Sequence, residues 1–121
     1  LQLSYAMVFP SHLRSEAFGI SLLEGAMYGK PMISSEIGTG TSYINIHGET
    51  GLVVPPSQPA AFRQAMRWLW EHPQQAEEMG RNAEARYRQL FTAEEMGRRW
   101  SELYRELLEE KASSRYVKAA R

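Results

Sequence analysis

The fold of this chain is decided by the stretch SEAFGISLLE at residues 15–24 and by GKPMI at residues 29–33. In the first stretch, Glu16 and Glu24 bracket a glycine and a run of apolar residues at helical spacing, which predicts a loop that enters a helix. The Gly-Lys-Pro of the second stretch is typical of a helix end followed by a strand. Together the two stretches predict loop, helix and strand in succession.

Short apolar runs on both sides extend this pattern. Residues 6–10, 31–34 and 51–55 are each bounded by Gly or Pro and predict short buried strands. Strands separated by helical segments need crossover connections and therefore predict a parallel sheet with helices on its faces. We expect an α/β fold, a Rossmann-like three-layer domain, with ligands beyond the carboxyl ends of its strands.

The carboxyl-terminal half predicts helices only. One helix starts at Pro59 and ends near His72, a second covers residues 74–91, and TAEE at residues 92–95 resembles a capping box before a third. We expect the apolar stripe of this third helix to be core, because an amphipathic helix must bury its face. The stripe comprises Met96, Trp100, Leu103, Tyr104, Leu107 and Leu108.

Length and chain ends suggest how the chain is organised. The 121 residues are about one domain. We expect a partial domain over residues 1–110 and a tail over residues 111–121, which holds four basic and no acidic residues. The tail either frays or docks on another domain or an anionic membrane. Residues 1–6 are typical of the end of a helix, so we expect a fragment.

Composition excludes several functions. The 14 basic and 14 acidic residues balance, so the chain as a whole does not attract nucleic acid. All the acidic residues are Glu, which rules out an Asp-x-Asp metal clamp, and the absence of Cys rules out thiolate chemistry. The three histidines lack ligand spacing. No apolar stretch is long enough to span a membrane and no signal segment is seen, so the expected location is the cytoplasm.

The start of the first helix is the candidate binding site. Free backbone amides at a helix start attract phosphate, and a glycine lets a ligand approach closely, so the amides of Phe18, Gly19, Ile20 and Ser21 are candidates to hold a diphosphate. Glu24, farther along the helix, would accept both hydroxyls of a ribose. Glu16, in the loop, would bind sugar hydroxyls and favour positive charge at the anomeric carbon.

A plainer interpretation stands beside this one: Glu16 supports the loop and Glu24 is a solvated helix residue. Spacing does not decide, because Glu102 lies eight residues from both Glu94 and Glu110. Of these glutamate pairs, only Glu16 and Glu24 follow a predicted strand and flank a helix that a glycine opens. Residues 38–41, Gly-Thr-Gly-Thr, form either a second phosphate or acceptor loop or a turn.

The chain resembles the carboxyl-terminal donor-binding domain of retaining glycosyltransferases of family 4, half of a GT-B fold. The resemblance rests on FPS at residues 9–11, EAFGI at 16–20 through Glu24, GKP at 29–31 and GETGLVVPP at 48–56. It implies that Glu16 contacts the transferred sugar and is catalytic, that the amides from Phe18 to Ser21 meet sugar and diphosphate, and that Glu24 binds the ribose. It also implies a nucleoside diphosphate sugar donor, no metal and no other cofactor.

Two departures from the family pattern narrow the resemblance. Glu-Gly-Ala-Met at residues 24–27 replaces Glu-Ala-Met-Ala, and IGTGTSY at 37–43 replaces a Gly-Gly loop with a downstream Glu. This variant is similar to members, often mannosyltransferases, that build lipopolysaccharide and other surface polysaccharides. The acceptor, a saccharide or lipid-linked, would bind a missing amino-terminal domain, and the whole protein would lie at the inner face of the membrane.

The family further implies a basic pair that neutralises the diphosphate from earlier in the domain. Neither this pair nor an acceptor site is found in the 121 residues, so we expect this chain alone to be inactive. Two alternatives remain open. One is a nucleotide-sugar epimerase or phosphorylase. The other is a catalytically silent module that binds a partner through its basic tail and through one of Trp68 and Trp70, which face different sides of their helix so that one is expected to be exposed.

Overall fold

The computed structural model describes the backbone of residues 1–119 and the side chains of residues 1–111. The remaining side chains of the expected basic tail lie outside the described residues. Two compact units make up the chain, Leu1–Arg88 and Gln89–Arg121. In chain order the elements are β1 Met7–Phe9, α1 Ile20–Met27, β2 Met32–Ser35, α2 Thr41–Ile44, β3 Gly51–Val54, α3 Pro59–Glu71, α4 Pro73–Leu90 and α5 Ala93–Ala119.

The three strands form one parallel sheet in the order β1-β2-β3. Successive side chains of a strand point to opposite faces of the sheet, so β2 contributes side chains to both faces. On one face α1 packs so closely that a Cβ added to Gly25 would lie 2.8 Å from the Cβ of Met7. On the other face Ile33 packs against α3 and α4. The predicted α/β class and three-layer arrangement are confirmed.

The core follows from these two faces. A cluster of buried residues joins β2 and β3 to α3 and α4: Ile33, Val54, Ala65, Leu69, Ala76 and Met79. Trp68 packs against this cluster, whereas Trp70, two residues on and facing another side of the helix, is 75% exposed. Burying a side chain such as Leu69 contributes about 1.5–3 kcal/mol. Leu22, Met32 and Ile44, which lie outside this cluster, are also fully buried and add to the core of the first unit.

The helix predicted between the two opening stretches is confirmed, including its end. The amide of Gly29 donates to the carbonyl of Ala26 at 2.9 Å, and that of Lys30 donates to the carbonyl of Gly25 at 3.0 Å. This is a Schellman motif, and Gly29 adopts the left-handed conformation that it requires, with φ 62°. Pro31 then leads directly into β2.

A buried polar cluster ties α2 to the sheet. Asn45 directly follows α2, is fully buried, and donates from Nδ2 to Ser34 Oγ at 2.8 Å and to the Leu52 carbonyl at 3.2 Å. Its Oδ1 accepts from the Thr50 hydroxyl at 3.1 Å, and Thr50 Oγ1 in turn accepts from the Ile46 amide at 2.7 Å. The cluster therefore joins β2, α2 and β3.

One local expectation was wrong. Residues 41–44 form a short helix where the sequence indicated only a loop, because four residues are too few for a periodic pattern and Asn45 holds this helix from outside it. Residues 1–6 contain a turn, in which the Ser4 amide donates to the Leu1 carbonyl at 3.0 Å, and the helix end expected there stays a prediction.

In the second unit, the start of α5 is half of the expected capping box. The Glu95 amide donates to Thr92 Oγ1 at 3.2 Å. The Glu95 carboxylate, instead of reaching back to the cap, accepts from Arg98 and Arg99 at 2.6 and 2.7 Å. These hydrogen bonds lower the pKa of Glu95 to about 2, so the carboxylate stays ionised at neutral pH.

The apolar stripe of α5 was expected to be core, and this was wrong. Trp100 is 53% exposed, and the other members of the stripe are exposed as well. A helix needs a second surface against which to bury such a face, and sequence periodicity shows the face without showing that surface.

No helix among the described residues is long and apolar enough to cross a membrane.

The Asn45 cluster yields the first testable prediction. Replacing Asn45 with Ala removes three hydrogen bonds, two of them fully buried and one partly buried, and leaves Ser34, Leu52 and Thr50 with unsatisfied groups. We expect the free energy of unfolding, measured by urea denaturation, to fall by roughly 2–4 kcal/mol. The exposed Gln74→Ala is the control and should change stability by less than about 0.5 kcal/mol. Equal effects of the two substitutions would contradict the role given to Asn45.

Candidate functional site

Two loops meet at the carboxyl end of the sheet. One runs from β1 to α1 and the other from β2 to α2. The Gly40 amide donates to the Ala17 carbonyl at 3.0 Å, and a Cβ added to Gly40 would lie 2.6 Å from Cδ2 of Phe18. Only glycine fits at this contact, so the sequence of the second loop fixes the position of the first.

Gly19 forms the amino-terminal cap of α1. Its φ of 89° lies in the left-handed region, which side chains disfavour, and an added Cβ would lie 3.2 Å from Cγ2 of Thr41. No side chain caps the helix at this position. The amides of Ile20 and Ser21 follow in the first turn, where backbone amides have no acceptor within the helix.

Glu16 lies at this helix start. Its Oε1 accepts hydrogen bonds from the Gly19 amide at 2.9 Å and from the Phe18 amide at 3.4 Å. Two of the four amides predicted to hold a diphosphate therefore bind the carboxylate here. Both hydrogen bonds described for this side chain use Oε1, which leaves Oε2 to accept from a ligand. The loop-supporting role and a sugar-binding role are thus compatible in one residue.

The remaining predicted site residues surround the same helix start. Phe18 is 40% exposed beside Gly40, Ile20 is 70% exposed at the first helical position, and Ser21 is half-buried. Glu24 is exposed in the second turn of α1, on the order of 7 Å along the axis from Gly19. All six predicted residues therefore belong to one structural feature, the loop and first turns of α1.

Sequence reasoning missed Glu36. Its Oε1 accepts from the Gly38 amide at 3.0 Å and from the Ser42 hydroxyl at 2.8 Å, which closes the second loop over Gly38, a residue with φ 66°. The available signal was a carboxylate two residues before a loop glycine, directly after a strand. The Gly38-Thr41 segment is therefore an ordered loop that contacts the first one through Gly40.

The chemistry of this site is that of anion and hydroxyl recognition. It offers amides at a helix start, which carry partial positive charge, and two carboxylates that accept from hydroxyls. Among the described residues, no cluster of three or more histidines and carboxylates is placed to hold a metal ion. His47, one of the scattered histidines, lies elsewhere and accepts at Nδ1 from the Val53 amide of β3 at 2.9 Å.

The contact between the loops predicts a difference between two neighbouring glycines. Gly40→Ala introduces a clash with Phe18 and should displace the amides of residues 17–20. Gly38→Ala has open space around the new Cβ and should cost only about 1 kcal/mol, because of its positive φ. Amide chemical shifts of residues 17–20 are the measurement. Shifts there that are as large in Gly38→Ala as in Gly40→Ala would contradict the contact.

Comparisons with known proteins show which proteins this chain is similar to. Over 111 residues the chain is 49% identical to O-antigen chain mannosyltransferase C of Escherichia coli, covering 92% of this chain and 30% of that protein. The structure of sucrose-phosphate synthase from Thermosynechococcus elongatus superposes with a TM-score of 0.79 at 32% identity, covering 88% of this chain and 26% of that one. Anabaena HepE in complex with UDP and glucose shares the fold, with a TM-score of 0.68 at 21% identity over 74% of this chain and 24% of that one.

The chain thus spans about 30% of the length of the E. coli relative that it matches. A family profile, described as glycosyl transferases group 1, matches residues 1–86, which include the whole sheet and both loops of the candidate site. The GT-B architecture expected from the sequence is confirmed by the superpositions. By the profile match and by its similarity to the E. coli protein, the chain belongs to the glycosyl transferases group 1 family.

Proposed function

We propose that this chain is the donor-binding part of a retaining glycosyltransferase. It takes a sugar, mannose by its similarity to the E. coli relative, from a nucleoside diphosphate sugar. The acceptor is a saccharide or lipid-linked hydroxyl in surface polysaccharide or lipopolysaccharide synthesis. This proposal is carried by the contact between the two loops, in which the Gly40 amide donates to the Ala17 carbonyl, and by the hydrogen bond that Glu16 accepts from the Gly19 amide at the start of α1.

The diphosphate binds at the amino end of α1. The Ile20 and Ser21 amides follow Gly19 in the first turn, and the hydroxyl of Ser21 is available as a further donor. Backbone amides fixed by the loop contact need no reorganisation as charge develops on the leaving group, which is the condition for effective electrostatic stabilisation. In this proposal the amides provide that stabilisation without a metal ion or another cofactor.

The two carboxylates act on the two ends of the donor. Glu16, held through Oε1 by the Gly19 amide, accepts from a sugar hydroxyl through Oε2 and favours positive charge at the anomeric carbon. Glu24, exposed one turn farther on, accepts from the ribose hydroxyls. The fixed orientation of Glu16 supports a catalytic role, because a mobile carboxylate would lose the benefit of preorganisation.

The full protein supplies the rest of the active site. The chain covers 30% of the E. coli relative, and we assign the acceptor site and the cations for the diphosphate to the part outside this chain. The full protein is assigned to the cytoplasm, at the inner face of the membrane, where lipid-linked acceptors are available.

A nucleotide titration tests the proposal. GDP, UDP and ADP, each with and without its sugar, are titrated into the chain while amide shifts are recorded. We expect the shifts to centre on residues 18–24 and Glu24→Ala to weaken nucleotide affinity roughly tenfold, because it removes hydrogen bonds to a charged acceptor. Glu110→Ala is the matched control, a helix glutamate with the same eight-residue spacing from another Glu. No response at millimolar nucleotide, or equal weakening in both variants, would overturn the assignment.

Another prediction concerns turnover. Purified alone and supplied with a nucleoside diphosphate sugar and a saccharide acceptor, the chain should transfer no sugar, because the leaving group lacks its cations and the acceptor lacks a site. The measurement is the appearance of glycosylated acceptor by mass spectrometry, with the full-length protein as positive control. Turnover by the chain alone would contradict the proposal that the acceptor site and the cations for the diphosphate lie outside this chain.

A further inference from the structure

A cavity lies along the edge of β3, where the sheet ends. We call it the β3-edge cavity; it is bounded by β3, the 47–49 loop, α3 and α4, and its volume is about 720 Å³. Its floor is apolar and includes Leu52, Val54 and Met79. No residue of α1 lines it, so it is separate from the proposed donor site. Cavities of about 300–1,000 Å³ are the usual size for small-ligand sites.

The wall of this cavity contains an aromatic ring in a fixed orientation. Trp68 packs against the apolar core, and its ring is stacked on the imidazole of His72, with centroids 4.4 Å apart and planes 15° from parallel. The same tryptophan lines the cavity. A rigid indole is a low-entropy contact surface for the apolar face of a ligand.

The polar rim combines amides with carboxylates. Gln64, Gln75 and Asn82 each offer an acceptor and donors, and Glu49 and Glu78 are acceptors. Asn82 donates to the Glu49 carbonyl at 3.1 Å, which holds the 47–49 loop against α4. This set suits hydroxyl groups, which both donate and accept.

Charge narrows the ligand class further. Among the described residues, those that line the cavity include no lysine or arginine, whereas they include two glutamates. A phosphate or a nucleotide would be repelled by these carboxylates and would find no cation. A neutral polyhydroxyl compound would have neither problem, since a sugar's C–H face suits an aromatic wall and its hydroxyls suit the amides and carboxylates of the rim.

We propose that the β3-edge cavity is a second binding site for a neutral oligosaccharide, which holds a segment of the acceptor or product glycan away from the donor site. The glycan class rests on the proposed function. The cavity would keep a growing chain attached to the enzyme between transfers, and it would raise the local concentration of the glycan end at the active site.

The test is an amide and indole chemical-shift titration of the chain with α-linked mannotriose. We expect shifts at the Trp68 indole and at the side-chain amides of Gln64, Gln75 and Asn82. Trp68→Ala should weaken binding about tenfold. Trp70→Ala is the matched control, because Trp70 lies on the same helix, is 75% exposed and does not line the cavity. It should leave the affinity unchanged.

Trp68 also contacts the core, so a second variant keeps the test sound if Trp68→Ala fails to fold. The double variant Gln64→Ala/Gln75→Ala removes two exposed amides and should also weaken mannotriose binding. Absence of mannotriose shifts at these residues, unchanged affinity in the double variant, or stronger binding of the diamine cadaverine at the same residues would overturn the proposal. GDP added to the same sample reports separately on residues 18–24, which distinguishes failure of this site from failure of the proposed function.

Discussion

The buried hydrogen bonds of Asn45 are the constraint on which the first unit depends. This one side chain links Ser34 of β2, the Leu52 carbonyl of β3 and the Thr50 hydroxyl, and the Ser34 and Thr50 side chains are fully buried. A buried polar group costs free energy unless it is hydrogen-bonded. The end of α2 is therefore held where Asn45 can form all these hydrogen bonds. Apolar burial on the other face of the sheet gives stability, but hydrophobic contacts are not directional and would not fix α2 to this degree.

The candidate site follows from this fixed position. Because α2 is held, Gly40 at its start is held, and Gly40 contacts Ala17 and Phe18 through its amide and its bare Cα. Glu16 and Gly19 then form the helix start from that loop. Glu16 accepts from the Phe18 and Gly19 amides through Oε1, and in the proposed function its Oε2 binds the sugar. Backbone contacts thus hold the start of α1 in place. Glu16, the side chain proposed to bind the sugar, also helps to hold it.

The β3 edge of the sheet is partly covered by the protein itself. A free strand edge invites pairing with other chains. Here the His47 imidazole accepts from the Val53 amide and the Gly48 amide donates to the Gly51 carbonyl, so part of the edge of β3 is occupied. The same loop forms one wall of the β3-edge cavity, and Asn82 of α4 holds it there. Edge protection and a ligand-sized cavity therefore come from one short segment.

The sequence by itself determined the order of the strands and of the helices other than α2, the glycine that opens α1 and the glycine that ends it, because these depend on local patterns and on backbone conformations that few residues adopt. It also placed Glu16, Phe18, Gly19, Ile20, Ser21 and Glu24 together, since they are neighbours along one loop and helix. Only the tertiary structure decided that Glu36 and Asn45 organise the second loop, that Gly40 joins the two loops, and that the stripe of α5 is exposed. Those features depend on which distant residues meet, and periodicity along a chain shows a face or a turn without showing what lies against it.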